Sequence, residues 1–137
     1  MKNSIAAVLI TLTLTGCATT SSLVDGLLGR YHNYDPVEYG QTVHLVLQAR
    51  ALEAACQDPN MFKYKLHSMD STADQLQAYT EGRPYNKRML EVTDALIGMI
   101  QDTVKKDSMS DFFCRQRAKN IVKAAETIRT LSGDKPE

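Results

Sequence analysis

Phe62-Lys63-Tyr64-Lys65-Leu66-His67-Ser68-Met69-Asp70-Ser71-Thr72-Ala73-Asp74-Gln75-Leu76 decides the fold class of this chain. Its apolar residues Phe62, Leu66, Met69, Ala73 and Leu76 step by 4, 3, 4 and 3 positions. That spacing gathers side chains on one face of an α-helix, while the charged and hydroxylated residues between them face water. The start of this helix is also written locally. Asp58 is placed to cap it, and Pro59 suits the first helical position because its missing N–H has no helical partner to lose.

The same signals extend outward in both directions. Asp35-Pro36 repeats the cap-then-proline pair, Glu38 stands where a capping box wants an acid, and Tyr34 and Tyr39 are spaced for a hydrophobic staple. A first helix is therefore expected from Asp35 to about Cys56, with Leu45, Ala49, Leu52 and Cys56 on one stripe. Gly82 and Pro84 punctuate the end of the second helix. A third, from about Tyr85 to Lys105, has a broad apolar sector: Met89, Val92, Leu96, Met99 and Ile100 at its centre, and Leu90, Ile97 and Val104 along one flank. Ser108 with Asp111 resembles a capping box that opens a fourth helix, in which Cys114, Ala118, Ile121, Ala125 and Ile128 repeat the stepping and Gly133 supplies the stop. No segment sustains the two-residue alternation of a strand. The expected fold is all-α: an up-down-up-down four-helix bundle over residues 35–132, followed by a short tail over 133–137.

Charge narrows the function classes. The chain has 16 Lys+Arg against 16 Asp+Glu, interspersed along its length. It lacks the basic footprint of a nucleic-acid binder and has no polybasic run to hold an anionic membrane.

The N-terminus places the protein. Lys2 precedes an apolar run from Ile5 to Leu14, far shorter than the roughly 20 residues a bilayer crossing needs, which fits a signal peptide. The run leads into Leu14-Thr15-Gly16-Cys17, which resembles the lipobox of bacterial lipoproteins. The resemblance implies removal of residues 1–16, with Cys17 then carrying diacylglycerol on sulfur and an acyl chain such as palmitate on its amine. Two or more chains make a firm anchor. In Gram-negative lipoproteins Ala18, rather than Asp, after the cysteine implies the outer membrane, periplasmic face. Residues 17–34 read as the lipidated tether, averaging roughly 20–25 Å end to end if flexible. Its last part, Arg30 to Tyr34, is expected to plug the lower end of the bundle; contact with a membrane-embedded partner is the sharper alternative.

Under that resemblance the lipid takes Cys17, and Cys56 and Cys114 remain as either a disulfide or two buried thiols. An exported protein favours the disulfide, worth roughly 3–4 kcal/mol for a loop of this length. In an up-down bundle the end of helix 1 and the start of helix 4 fall at the same end of neighbouring helices, so the pair and the topology support each other.

Catalytic signals are poor. His32, His44 and His67 have no zinc-site spacing, no haem-attachment or nucleophile-elbow motif occurs, and Glu91, Asp94 and Asp102 read as a solvated face. The expectation is a protein without enzymatic activity, metal or cofactor. Binding elements are more promising. Leu90, Ile97 and Val104 are either the flank of the most buried helix or a candidate groove for a partner helix. Met61, Met69, Met89, Met99 and Met109 are either core filler or an adaptable surface. Gly98 either permits a close approach or is a tolerated accident.

In layout, with Cys17, Cys56 and Cys114 as the residues that carry it, the chain resembles the helical pilotins of type II secretion. That resemblance implies a membrane-anchored adaptor that binds an envelope protein by helix-in-groove recognition. Two other classes stay open: a helical bundle that binds a small molecule, and a structural or exclusion lipoprotein of an envelope, plasmid or phage system.

Overall fold

A computed structural model of the chain describes residues 35–83 and 86–133. The signal peptide, lipobox and tether expected over residues 1–34, together with Pro84, Tyr85 and residues 134–137, lie outside the described residues. Among the described residues all regular structure is helical: α1 (Pro36–Arg50), the single turn α2 (Leu52–Ala55), α3 (Pro59–Thr80), α4 (Lys87–Val104) and α5 (Asp111–Gly133).

Two starts form as the local chemistry dictates. Asp35 Oδ1 accepts the N–H groups of Val37 and Glu38 at 2.9 and 3.2 Å, and Asp58 Oδ1 accepts those of Asn60 and Met61 at the same distances. Each satisfies donors that a helix cannot pair within itself. Gly82 follows α3 at φ 76°, a left-handed conformation that a side chain would strain.

Three boundaries differ from expectation. The first helix does not run unbroken to Cys56: it ends at Arg50, and the chain turns at Ala51, whose N–H is shared between the carbonyls of Leu47 and Gln48 before α2 resumes. The last helix is opened by Ser110 rather than Ser108. Ser110 Oγ accepts the N–H of Phe113 at 3.2 Å, the i to i+3 reach of a serine cap, and Asp111 pairs with Arg115 one turn on. Glu38 does not complete a capping box. Its side chain turns into the interior, where Asn86 Nδ2 and Ser132 Oγ donate to it at 3.1 and 2.9 Å.

α1 packs against α3 and α5, and α4 packs against the same two helices. The core between them is built from the sequence stripes. Phe62, Leu66, Met69, Ala73 and Leu76 of α3 are fully buried, as are Ala118, Ile121, Ala125 and Ile128 of α5. Leu45, Ala49 and Leu52 complete it from α1 and α2, and Leu96 and Ile100 from α4. A disulfide joins Cys56, just after α2, to Cys114 in the first turn of α5, with Cα atoms 5.8 Å apart.

Candidate partner-binding face

α1 carries two apolar stripes, and only one of them is used by the core. The inner stripe is Leu45, Ala49 and, through α2, Leu52, continued toward the helix start by the buried Thr42 and Glu38. The outer one is Val37, Gly40, His44 and Leu47, which step by 3, 4 and 3; Ala51 at the turn and Ala54 of α2 follow it in sequence. Val37 and Leu47 are 55% and 59% exposed, although both are large and apolar. Gly40, His44 and Ala54 are exposed as well, and Ala51 is half-buried. Alternating steps of three and four are the spacing with which one helix presents a seam to another.

The neighbouring surface of α3 continues this face. Met61 and Tyr64 are exposed, Ser68 and Ser71 beside them are uncharged, and Ser68 Oγ accepts a bond from Gln48 Nε2 across the α1/α3 seam at 3.3 Å. A cleft of about 190 Å³ opens there, lined by Gln48, Ala51, Tyr64, Lys65 and Ser68. Lys65 is the single charged residue lining it. The contrast with the other helices is sharp. The outward residues of α4 include Lys87, Arg88, Glu91 and Asp94, and those of α5 include Asp111, Lys119 and Lys123, all exposed. A surface depleted of charge but holding large apolar side chains is what the middle of a protein interface looks like, not an average solvated face.

Of the two readings the sequence left open for Leu90, Ile97 and Val104, the structure favours the flank of a buried helix over a groove. Ile97 is only 7% exposed and belongs to the core, while Leu90 and Val104 are half-buried, so the three do not form an open row. The breadth of the apolar sector of α4 reflects its burial against both α3 and α5. Val104 does edge a cleft of about 220 Å³ between α3 and α4, with His67, Asp70, Gln101 and Lys105. Asp70 Oδ1 has no hydrogen-bond partner there, and burial, aided by repulsion from Asp74, raises its carboxyl above the ordinary range. A third cleft, of about 440 Å³, lies between α4 and α5 and is lined by charged and hydroxyl side chains such as Arg88, Lys123 and Thr127.

The remaining candidates divide as follows. Met69 and Met89 are core, Met99 and Met109 are half-buried against it, and Met61 is exposed beside Tyr64's helix turn. Gly98 faces open space, with nothing within 4 Å of where a Cβ would stand, so no close approach to it occurs among the described residues. Among those residues no group of three or more His, Cys, Asp or Glu is arranged to hold a metal ion, and no helix is long and apolar enough to cross a membrane. Cys17, the expected lipid site, lies outside them.

The outer stripe of α1 escaped the sequence reading, although its signal is present. Between Pro36 and Arg50 the chain has a single charged residue inside the helix, Glu38, and that one is buried. Compared with known proteins, the chain matches no family model, no curated protein and no solved structure.

Proposed function

We propose that this protein is a non-catalytic adaptor lipoprotein, anchored through Cys17 at the periplasmic face of the outer membrane, that docks a helical segment of an envelope protein. Residues 1–16 are its signal peptide, and residues 17–34 tether the helical domain close to the membrane. The four long helices are read as an up-down-up-down bundle. The neighbour pattern supports this, as do the bonds from Asp35 to Tyr79, Glu38 to Ser132 and Gln48 to Ser68, each of which joins segments at matching heights of oppositely directed helices.

One observation carries the docking reading: the charge-poor α1/α3 face, with Leu47 exposed on it and Lys65 the single charged residue lining its cleft. The occupant that fits is a helix with its own apolar stripe, because the outer stripe has the two-per-seven spacing of a helix–helix seam. An apolar partner side chain can enter the cleft between Ala51 and Tyr64.

The test is site-specific photo-crosslinking in whole cells. A crosslinking side chain at Leu47 should bond a discrete envelope protein, and one at Lys119 on the charged face of α5 should not. Leu47→Asp, introduced separately, should abolish the partner's co-purification and leave the melting temperature nearly unchanged, since Leu47 is exposed. Equal labelling from positions 47 and 119 would remove the face from consideration.

A further inference from the structure

The cleft lined by Ala51 and Tyr64 is more specific than an apolar hollow. Its volume is about 190 Å³, and a cavity of about 150 Å³ admits a benzene ring, so this one is the size of a fused two-ring side chain. Tyr64 is exposed and offers its ring as a wall, while Ala51, at the turn that ends α1, contributes only a methyl group. Gln48, Lys65 and Ser68 complete the lining.

What the cleft lacks is a hydrogen-bond donor. Gln48 Nε2 donates to Ser68 Oγ at 3.3 Å, but Gln48 Oε1 is buried with no partner, a costly state for an amide oxygen. Because Gln48 lines the cleft, a small turn of its amide, which gives up only that long bond to Ser68, brings Oε1 to an entering group. The backbone beside it is short of donors as well, since the Ala51 N–H is divided between the carbonyls of Leu47 and Gln48 at 3.3 and 3.2 Å. An occupant must therefore bring an N–H or O–H. Lys65 decides its charge, because an ammonium on the lining repels a cationic donor. The same ammonium attracts the face of an aromatic ring, that of indole most strongly. Indole is also the aromatic group that only donates, which suits a site that needs only a donor.

We propose that this cleft is an indole receptor: a tryptophan of the client helix seats its ring beside Tyr64 and Ala51 and donates its N–H to Gln48 Oε1. The proposal rests on the reading of this face as a docking surface for a helix, and it names the anchor that helix must bring. The 137 residues contain no tryptophan, so a second copy of them cannot supply it.

Two soluble probes test this on the full lipidated chain in detergent. One is N-acetyltryptophanamide; the other is its benzothiophene analogue, which keeps the ring shape but has sulfur in place of the N–H. Amide NMR should show N-acetyltryptophanamide causing saturable shifts at Ala51, Ser68 and the Gln48 side chain, with the analogue binding roughly tenfold more weakly. Gln48→Met, which keeps the side chain's length, should erase the difference between the probes at a nearly unchanged melting temperature. Equal binding of the two probes to the parent chain would overturn the proposal, as would shifts confined to residues away from the cleft. So would a client crosslinked at position 47 through a segment without tryptophan. The probes act without a client, so their failure leaves client docking standing as long as position 47 crosslinks an envelope protein. If they discriminate but position 47 crosslinks nothing, docking falls, and the client falls with it as the source of the indole.

Discussion

Two aspartates in this protein respond to folding with opposite sign. Asp35 is partly buried, which by itself raises its pKa. The N–H groups of Glu38 and Val37, the Tyr79 hydroxyl at 2.9 Å and the Arg83 guanidinium more than offset this, so its carboxyl is held below the ordinary range. A depressed folded pKa contributes stability that is present above the unfolded value of about 3.9 and is lost as pH falls through the folded value. Asp70 is the reverse case, raised by burial and by Asp74. Its contribution is present below about 3.9 and is lost as pH rises through the raised value. Asp35→Ala should therefore cost about 1–2 kcal/mol near neutral pH, the range for a lost cap, with the deficit shrinking in acid. Asp70→Asn should gain on the parent protein as pH rises from acid to neutral. Urea denaturation at several pH values checks both, and curves parallel to the parent's would show that neither carboxyl senses the fold. The caps at Asp35 and Asp58 were legible because a cap is a local event, two or three residues long. The inward turn of Glu38 was not, because its donors Asn86 and Ser132 lie 48 and 94 residues away in sequence.

At the scale of elements, periodicity identified the core faces of α3 and α5 without error, since each five-residue stripe it selected is buried. It also picked the core face of α1, since Leu45, Ala49 and Leu52 are fully buried, but it gave no sign of the second, exposed stripe there and left open which flank of the broad α4 sector meets a neighbour. For α4 the wide sector is explained by burial; for α1 the second stripe remains outside. The two exposed helix-interior glycines separate these cases. Neither Gly40 nor Gly98 has anything within 4 Å of a would-be Cβ, so alanine fits at both without strain. Gly98→Ala should stabilise the fold by about 0.5–1 kcal/mol through the lower entropy of the unfolded chain. A calorimetric melting temperature a few degrees higher would record it. Gly40→Ala should give the same gain to the monomer while weakening any helix seated closely against α1. A drop in melting temperature for Gly98→Ala would mean that the residue is covered by something in the folded protein.

At the scale of the whole molecule, α1 and its continuation α2 are fastened to α5 twice, by different chemistry. Near the start of α1 the fastening is polar: the buried Glu38 carboxylate is held by Ser132 of α5 and by Asn86, which also donates to the Thr80 carbonyl at 3.4 Å. Just beyond α2 it is covalent, between Cys56 and Cys114. The disulfide acts mainly on the unfolded chain, whose 58-residue separation it closes, and by the chain-entropy model it stabilises the fold by roughly 3–4 kcal/mol. The Cys56→Ser, Cys114→Ser double variant should lose about that much in urea denaturation. The loss should also be uneven in space. Phe62 and Ala118 still pack in the core near the missing bond, but the turn at Ala51 leaves α2 only four residues long, too short to persist alone. Amide hydrogen exchange should therefore quicken most in α2 and the first two turns of α5, while amides around Ile128 and Ser132, next to the Glu38 cluster, keep protection set by global unfolding. Uniform loss of protection along α5 would instead mean that the disulfide and the polar cluster belong to one cooperative unit, and that neither end of the domain opens without the other.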